Sequence, residues 1–490
     1  MTSGFLKDLK SFFLENKNTK QTLVKNTFWL TFSSIISKVV KYFLIIYAAR
    51  ILRVEEYGTF NFALAFVALF NIFADLGIST LISRETAKEK EVGLSIAPAF
   101  TLKLILTFIA LVLIILSSFL VPQTDQIKLV IFLVAGFTLL NGLSNFLYNC
   151  FYGRQEMQYQ TLTEIIEALV TTILGIYLIS LISRAYLLGI AYFIGGISGF
   201  VTIFIIFRRR FDSVLQFKID FPEWKKIINW SWALALTGIF AAIYTNTDSI
   251  MLGFWRLFDQ IGYYNAAQKI ISLAIMPAGW IITAFLPTLT KASLSDRDRT
   301  QKIFDYQTIL LFLIAVPIVI GGYILTNGLI TRIYGINYRP AILAFRILII
   351  MVITVYFSLS LSNILFVYNQ QKKAFWVSLG SALLNIPLNA LLIPRYGFYG
   401  AAIATVVTAF TTLFFLIYLT QRFTPIRIFS RALIKYTLIV LLAAILMGII
   451  LLFGNRYTVN VFLKITIGTI VYIATLIGYL LLNRNKIISV

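Results

Sequence analysis

The chain is a succession of long apolar segments separated by short polar connections. A helix needs about 20 apolar residues to cross the hydrocarbon core of a bilayer, so windows of that length mark candidate spans. About fourteen windows result on this length criterion. They run near 23–49, 59–83, 98–121, 127–151, 162–182, 186–207, 227–254, 261–290, 305–326, 341–368, 374–393, 398–419, 431–453 and 460–482. The pattern predicts an all-α polytopic membrane protein with about 14 transmembrane helices.

The composition supports a membrane protein and excludes several kinds of site. Hydrophobic residues make up 59% of the chain and charged residues only 13%, which is unlike a soluble globular domain. Histidine is absent, so no metal site with histidine ligands is possible and any proton relay must use Asp, Glu, Lys or Tyr. The single cysteine, Cys150, excludes an internal disulfide.

The net charge of +22 is explained by membrane orientation rather than by nucleic-acid binding. Lys and Arg concentrate in alternate connections, among them Arg84, Arg208–Arg210 and Lys225–Lys226. The opposite connections hold fewer, including Arg50, Arg53, Arg332 and Arg395. Since cytoplasmic loops carry the excess of positive charge, we expect a multi-pass protein of the cell membrane with both termini in the cytoplasm.

A polar connection in mid-chain predicts a division into two lobes. It runs from Arg208 to Lys226 and contains the helix-start sequence Asp220-Phe221-Pro222-Glu223. The expected domains are a cytoplasmic amphipathic N-terminus at 1–22, an N-lobe of six spans at 23–207, a linker at 208–226, a C-lobe of six spans at 227–419, and two further spans with a cytoplasmic C-terminus at 420–490.

An internal repeat supports this division. Gly58-Thr59-Phe60-Asn61-Phe62-Ala63 resembles Gly262-Tyr263-Tyr264-Asn265-Ala266-Ala267, and the glycine, asparagine and final alanine all match at one common offset. Six-span halves repeated in one orientation favour two bundles that rock about a site near the membrane midplane.

Two lysines in the first window are the most unusual polar feature. Lys38 and Lys41 share a helical face with Ser34 and Ser37. At the bilayer centre each lysine would cost about 2.5–3.5 kcal/mol, so both should face protein or a water-filled cavity. The alternative is that one or both extend to an interface or form a structural pair.

Carboxylates inside the windows have two explanations. Asp75 follows Asn71 by one turn, and Asp248 lies near Asn246. Each aspartate is a candidate for coupling to an H⁺ or Na⁺ gradient, or else forms a salt bridge or an interhelical hydrogen bond. Glu164 and Glu167 are expected to serve mainly at the N-terminus of the fifth span, where the helix dipole favours anions.

Motifs in both halves carry a family resemblance. Ala49-Arg50-Ile51-Leu52-Arg53-Val54-Glu55-Glu56-Tyr57-Gly58, Ala74-Asp75-Leu76-Gly77-Ile78 and Arg84-Glu85 stand in the first half. Thr247-Asp248-Ser249-Ile250-Met251-Leu252-Gly253, Asn385-Ile386-Pro387-Leu388-Asn389 and Gly400-Ala401-Ala402-Ile403-Ala404-Thr405 stand in the second. Together they resemble the O-antigen (Wzx-type) polysaccharide flippases of the multidrug/oligosaccharidyl-lipid/polysaccharide exporter superfamily. Arg53 departs from the glycine usual in that family.

The resemblance implies a MATE-like fold and a flippase, not an enzyme. Such a protein would move an isoprenoid-diphosphate-linked oligosaccharide from the inner to the outer leaflet by alternating access, without a cofactor. We expect a monomer whose partners are this substrate, membrane lipids, and a polysaccharide polymerase with glycosyltransferases. Nucleic acid is not an expected partner. The alternative is a MATE-type multidrug or cation antiporter, although such an exporter favours an acidic cavity.

The charge of the implied cargo assigns roles to the intramembrane cations. A lipid diphosphate is costly to bring to mid-membrane, so a flippase needs fixed cations in its cavity. Lys38, Lys41 and Lys269 are the candidates, with Asn61 and Asn265 as supporting polar residues. Lys103 and Arg346 are weaker candidates because they lie nearer to window ends, and we expect them to extend to the interface instead.

Overall fold

The computed structural model describes residues 19–86, 96–120, 124–211, 217–294, 296–454 and 460–482. Within these ranges the chain is helical and contains no strand. The helices are α1 Thr19–Ile51, α2 Val54–Asn71, α3 Ile78–Thr86, α4 Ile96–Leu120, α5 Asp125–Gly153, α6 Gln158–Leu181, α7 Ala185–Arg210, α8 Phe221–Phe254, α9 Phe258–Ser293, α10 Arg297–Tyr334, α11 Ala341–Ile349, α12 Met351–Val367, α13 Gln371–Tyr396, α14 Phe398–Phe423, α15 Arg431–Gly454 and α16 Val461–Leu482, with a short 3₁₀ helix at Ile336–Tyr338.

The prediction of an all-α polytopic membrane protein is confirmed. Every apolar window contains helix, and 11 helical segments of the described residues are long and apolar enough to cross a membrane. Those 11 count α11 and α12 as one segment, which is interrupted only at Ile350. The count of about 14 spans stays a prediction.

The second span is not the continuous helix that the window at 59–83 predicted. α2 ends at Asn71, and residues 72–77 form tight turns before α3 begins at Ile78. Leu76 and Gly77 both have positive φ, at 45° and 77°. A left-handed backbone is costly for leucine, so packing around the break must hold it there. The window failed because an apolar run measures hydrophobicity and not helix continuity.

The backbone forms two compact units, Met1–Asn246 and Thr247–Val490. In the first unit α6 packs along both α1 and α7, and α5 packs against α3 and α7. Its main core contains Ile78, Phe146, Phe151 and Phe207, all fully buried.

In the second unit α13 packs along α14, and α10 packs along α15. The core of this unit combines residues of α10 and α12 with Val440, Met447 and Tyr472 from the last two helices. The unit boundary falls within α8, so the lobe boundaries expected from the sequence stay a prediction, and the expected amphipathic helix before Thr19 lies outside the described residues.

The internal repeat extends to matching hydrogen bonds. Asn61 and Asn265 each donate to the carbonyl four residues earlier, at 2.8 and 3.0 Å. Glu56, two residues before Gly58, accepts the backbone N–H of Ala185 at the start of α7. Gln260, two residues before Gly262, accepts the N–H of Phe398 at the start of α14. Both units therefore use one polar side chain to satisfy the first N–H of a later helix.

Gly400 allows α13 and α14 to meet closely, and an alanine there should destabilise the second unit. A Cβ at Gly400 would lie 2.4 Å from the backbone oxygen of Leu392. Relieving this clash requires backbone movement, so Gly400→Ala should lower the free energy of unfolding by about 1–3 kcal/mol. The thermal unfolding midpoint in detergent measures the effect.

Gly380→Ala is the matched control, because a Cβ at Gly380 meets nothing within 4 Å. It lies inside α13, where alanine is about 1 kcal/mol more favourable than glycine. Its midpoint should stay unchanged or rise. Equal midpoints for both variants would contradict the assigned close approach.

Candidate functional site

The first unit contains a cavity of about 490 Å³ between α1, α5 and α6. Polar and charged side chains from each of these helices line it. They are Ser37, Lys38 and Lys41 from α1, Asn141, Asn145 and Tyr148 from α5, and Gln160, Glu164 and Glu167 from α6. The polar face that the sequence predicted on the first span therefore borders a cavity.

Lys41 is neutralised by a carboxylate across the cavity. Its Nζ lies 2.8 Å from Oε1 of Glu167, which is almost completely buried. Asn141 donates to the same oxygen at 3.4 Å. The ammonium group also lies 5.9 Å from the centre of the Phe137 ring. This pair joins the first and fifth spans at a depth where an unpaired charge would be costly.

Glu164 and Glu167 do not act at the helix N-terminus as the sequence analysis expected. No acidic residue lies in the first turn of α6, and both glutamates face the cavity further along the helix. Gln160 donates to Glu164 at 2.7 Å, and the hydroxyl of Ser33 donates to its other oxygen. The assignment was wrong because the window for this span began several residues late.

Lys38 is the cation that remains available in this cavity. Its side chain is exposed and forms no hydrogen bond or ion pair within the part of the chain that the structure describes. Formally the two lysines balance the two glutamates that line the cavity. A purely cationic cavity was therefore too simple, because the positive charge is concentrated at Lys38 while Lys41 is compensated.

Sequence reasoning missed the uncharged half of this lining. Asn141, Asn145 and Tyr148 follow one face of α5, and Gln160 precedes Glu164 by one turn on α6. The signal was present, because polar residues at helical spacing inside an apolar span indicate a face turned away from lipid.

Asp75 forms a partly buried ion pair instead of standing alone in its span. Its Oδ1 lies 2.5 Å from Nζ of Lys103, whose side chain is 1% exposed, and it also accepts the hydroxyl of Ser79. The expectation that Lys103 extends to the interface is therefore wrong. Of the two explanations given for Asp75, the structure shows the salt bridge, which connects the break between α2 and α3 to α4.

Asp248 lies in the second unit and is surrounded by neutral groups. Asn389 donates to its Oδ1 and Thr405 to its Oδ2, both at 2.7 Å, and Tyr264 donates as well. Asn389 also donates to Oδ1 of Asn385 at 2.9 Å, while its own Oδ1 is buried and accepts no hydrogen bond from the described residues. No cation is paired with Asp248 among the described residues. The cluster places carboxylate, amide and hydroxyl oxygens together, the ligands that hard cations prefer.

The remaining expected site residues have local roles or stand apart. Asn246 donates back to Ala242 and not to Asp248, while Asn265 joins α9 to Ser249 of α8. Lys269 is half-buried on α9, one turn after Asn265. Two further residues belong to the first unit: the Asn71 side-chain oxygen is buried without a hydrogen-bond partner, and the side chain of Ser34 lies outside the described part of the structure.

Comparison with known proteins identifies the family. The model of a family described as "Polysaccharide biosynthesis protein" matches residues 23–293, more than half of the chain. The chain belongs to this polysaccharide biosynthesis protein family. A second family model, described as "Lipid II flippase MurJ", matches residues 261–472 of this chain. The resemblance drawn from the motifs is confirmed.

Relatives and solved structures agree with this membership. A Shigella flexneri protein named for O-antigen transport is 26% identical over 408 residues, which cover 78% of this chain and 94% of the relative. A lipid II flippase MurJ in an inward closed conformation shares the fold, with a TM-score of 0.72 over 92% of this chain and 100% of that chain at 16% identity. An inward-facing multidrug MATE transporter of the MOP superfamily gives a TM-score of 0.64 over 79% and 94% of the two chains at 14% identity. This family member therefore has the MurJ and MATE fold.

Removing one partner of the Asp75–Lys103 pair should destabilise the first unit of the protein. Lys103→Met leaves the Asp75 carboxylate without its cation, and we expect a loss of about 1–3 kcal/mol in unfolding free energy, because this carboxylate is 29% exposed and keeps part of its hydration. The double change Lys103→Met with Asp75→Asn removes both charges and should recover most of that loss. Unfolding midpoints of the four proteins measure the coupling, and additive losses would contradict the pair.

Proposed function

We propose that this membrane protein flips a lipid-linked oligosaccharide, carried on an isoprenoid diphosphate, from the inner to the outer leaflet by alternating access. The observation that carries the proposal is the cavity of the first unit, in a chain of the polysaccharide biosynthesis family. There Lys38, which has no ion-pair partner among the described residues, lies beside three amide side chains and a tyrosine. The named relatives are flippases and transporters, in agreement with the expectation that the chain is not an enzyme.

Lys38 is proposed to hold the diphosphate. Moving a phosphate dianion into a low-dielectric site is expensive unless a fixed cation compensates it. Lys38 offers such a cation without first breaking an ion pair. Lys41 instead keeps the cavity wall in place through Glu167. Lys269, in the second unit, stays a prediction as a cation for the cargo.

The neutral lining is proposed to bind the sugars. Asn141, Asn145 and Gln160 carry both donors and acceptors, which suit sugar hydroxyls. Tyr148 adds a ring and a hydroxyl that is buried without a hydrogen-bond partner in the described residues. A site of several amides and one ring tolerates variation in sugar identity better than a site built on charged pairs.

We propose Na⁺ as the coupling ion, bound at Asp248. The carboxylate, the unpartnered Oδ1 of Asn389, Oδ1 of Asn385 and the hydroxyl of Thr405 supply a set of oxygen ligands. A buried carboxylate with only neutral neighbours attracts a cation more strongly than one that is already paired. The paired Asp75 is therefore the weaker coupling candidate.

A multidrug or cation antiporter is the alternative with the same fold. It would use Glu164 or Glu167 to attract a cationic drug, but Glu167 is paired with Lys41, and Glu164 is held by Gln160 and Ser33. Lys38 is the one charged side chain of this lining that is exposed, which favours the anionic cargo.

The cellular setting follows from the proposal. The excess of Lys and Arg in alternate connections supports cytoplasmic termini and insertion in the cell membrane. We propose that the protein works as a monomer, receives its cargo from glycosyltransferases and releases it to a polysaccharide polymerase.

Flipping should depend on Lys38 more than on other cations of the first unit. In proteoliposomes with a fluorescent isoprenoid-diphosphate oligosaccharide, Lys38→Gln should slow flipping at least about tenfold, because a lost charged contact is worth about 1.5–3 kcal/mol. Lys38→Arg should restore much of the rate.

Lys128→Gln is the matched control, since Lys128 lies on α5 outside the cavity and pairs only loosely with Asp125. Its flipping rate should equal that of the unchanged chain. Equal rates for Lys38→Gln and the control would remove Lys38 from the site. Transport of a lipophilic cation such as ethidium, without flipping of the oligosaccharide, would support the antiporter instead.

Sodium should stabilise the protein through Asp248. The thermal unfolding midpoint in detergent should be higher in NaCl than in choline chloride at equal ionic strength. When the Na⁺ concentration is 100 times its dissociation constant, binding should add about 2.7 kcal/mol to the free energy of unfolding. Asp248→Asn and Asn389→Ala should each abolish the difference.

Asn363→Ala is the control for this test, because Asn363 is a buried asparagine of the same unit that donates to Gln307 and not to Asp248. It should keep the sodium response. A response retained by Asp248→Asn would exclude this cation site, and a dependence on pH in its place would indicate H⁺ coupling.

A further inference from the structure

A second cavity, separate from the one described above, lies in the second unit. Its volume is about 440 Å³, and it is lined by the C-terminal part of α10, by α11 and by the start of α16. The lining residues are Ile324, Leu325, Asn327, Gly328, Thr331 and Arg332 from α10, Arg346 from α11, and Asn460, Val461 and Lys464 at the start of α16.

The charge of this cavity is entirely positive. Arg332, Arg346 and Lys464 come from three different helices, and no Asp or Glu is among the described residues that line the space. Three like charges around one small space repel one another, and the repulsion grows as the surroundings exclude water. An arrangement of this kind is stable when an anion occupies the centre.

Arg346 gives the most direct indication of a ligand. Its Nε is buried and has no hydrogen-bond partner in the part of the chain that the structure describes, although a guanidinium group normally satisfies its donors. Its guanidinium carbon lies 5.4 Å from the centre of the Tyr323 ring, which holds the side chain on the cavity wall. The expectation that Arg346 simply extends to the interface accounts neither for the buried Nε nor for the convergence with two further cations.

The start of α16 adds further positive potential. Asn460 accepts the backbone N–H of Phe462 at 3.1 Å and so begins the helix. The N-terminal end of a helix carries a partial positive charge and favours anions. A Cβ at Gly328 would lie 3.0 Å from Val461, so this glycine allows α10 and α16 to approach closely enough to close the cavity.

Helix dipoles explain two of the three cations. Arg332 lies in the last turn of α10 and Arg346 in the last turn of α11, where a cation is favoured without any ligand. Lys464 lies at the N-terminus of α16, where the dipole disfavours a cation. The convergence of all three around one cavity is therefore not a result of the dipoles alone.

We propose that this cavity binds a phosphate-type anion, held by Arg346 with Arg332 and Lys464 and with Asn327, Thr331 and Asn460 as neutral donors. Guanidinium groups match the geometry of phosphate oxygens, and three cations compensate a mono- or dianion. The anion is the headgroup of an anionic membrane lipid or a soluble phosphate, which share this chemistry. This site does not depend on the proposed translocation cavity.

The test measures binding to the purified full chain in detergent. Dioleoylphosphatidylglycerol and inorganic phosphate are added separately, with dioleoylphosphatidylcholine and chloride at equal ionic strength as references. Binding is read from the shift in unfolding midpoint and, for the lipid, from the number of molecules retained in native mass spectrometry. Arg346→Gln should weaken binding about tenfold, which corresponds to about 1.4 kcal/mol.

Arg395→Gln is the matched control, because Arg395 is an exposed arginine of the same unit that does not line the cavity. Arg332 and Lys464 also contact other groups of the chain, so Arg346 is the sharper variant. Arg346→Lys keeps the charge and should retain part of the binding.

Each outcome decides the proposal. Binding of phosphatidylglycerol alone that Arg346→Gln weakens and Arg395→Gln preserves supports a lipid headgroup. Binding of inorganic phosphate with the same dependence supports a soluble anion. If neither probe binds, or if Arg346→Gln leaves the binding unchanged, the proposed anion site is wrong. The expected dependence of flipping on Lys38 is a separate prediction and does not change with any of these results.

Discussion

The cost of a charge in a low-dielectric medium organises both units of this protein. Where a lysine and an acid are buried together, the structure pairs them, as in Lys103 with Asp75 and Lys41 with Glu167. These pairs cross between helices and so fix which faces meet. An ionised group that is left without a partner at this depth is expensive, and it is therefore informative about function.

Lys38, Asp248 and Arg346 have no ion-pair partner among the described residues, and each stands in a different chemical setting. Lys38 presents an exposed cation to a cavity whose lining includes three amides and a tyrosine. Asp248 presents a single carboxylate to amides and hydroxyls, beside an amide oxygen without a partner. The cavity around Arg346 gathers three cations with no acid in its lining. The surroundings of Lys38 and of Arg346 suit anions, and those of Asp248 suit a cation. The sign of the charged group at each place therefore determines which kind of ligand it favours.

The two units use different charged groups in their interhelical contacts. In the first unit α1 and α6 are joined through Lys41 and Glu167. In the second unit α8 and α13 are joined through Asp248 and Asn389. The repeat also preserves the asparagines Asn61 and Asn265 and the acceptors Glu56 and Gln260. A duplicated framework has thus kept its backbone contacts while the charges at its functional positions differ.

The sequence by itself determined the all-α membrane fold, the helix windows, the family and the unusual status of Lys38, Lys41 and Asp248, because hydropathy, helical spacing and motif order are local properties. It did not determine partners. The pairing of Lys41 with Glu167 and of Lys103 with Asp75 joins residues far apart in the chain, and the break at residues 72–77 lies inside an unbroken apolar run. Only tertiary packing decides which helices meet, and hence which intramembrane charges are neutralised and which remain free to bind a ligand.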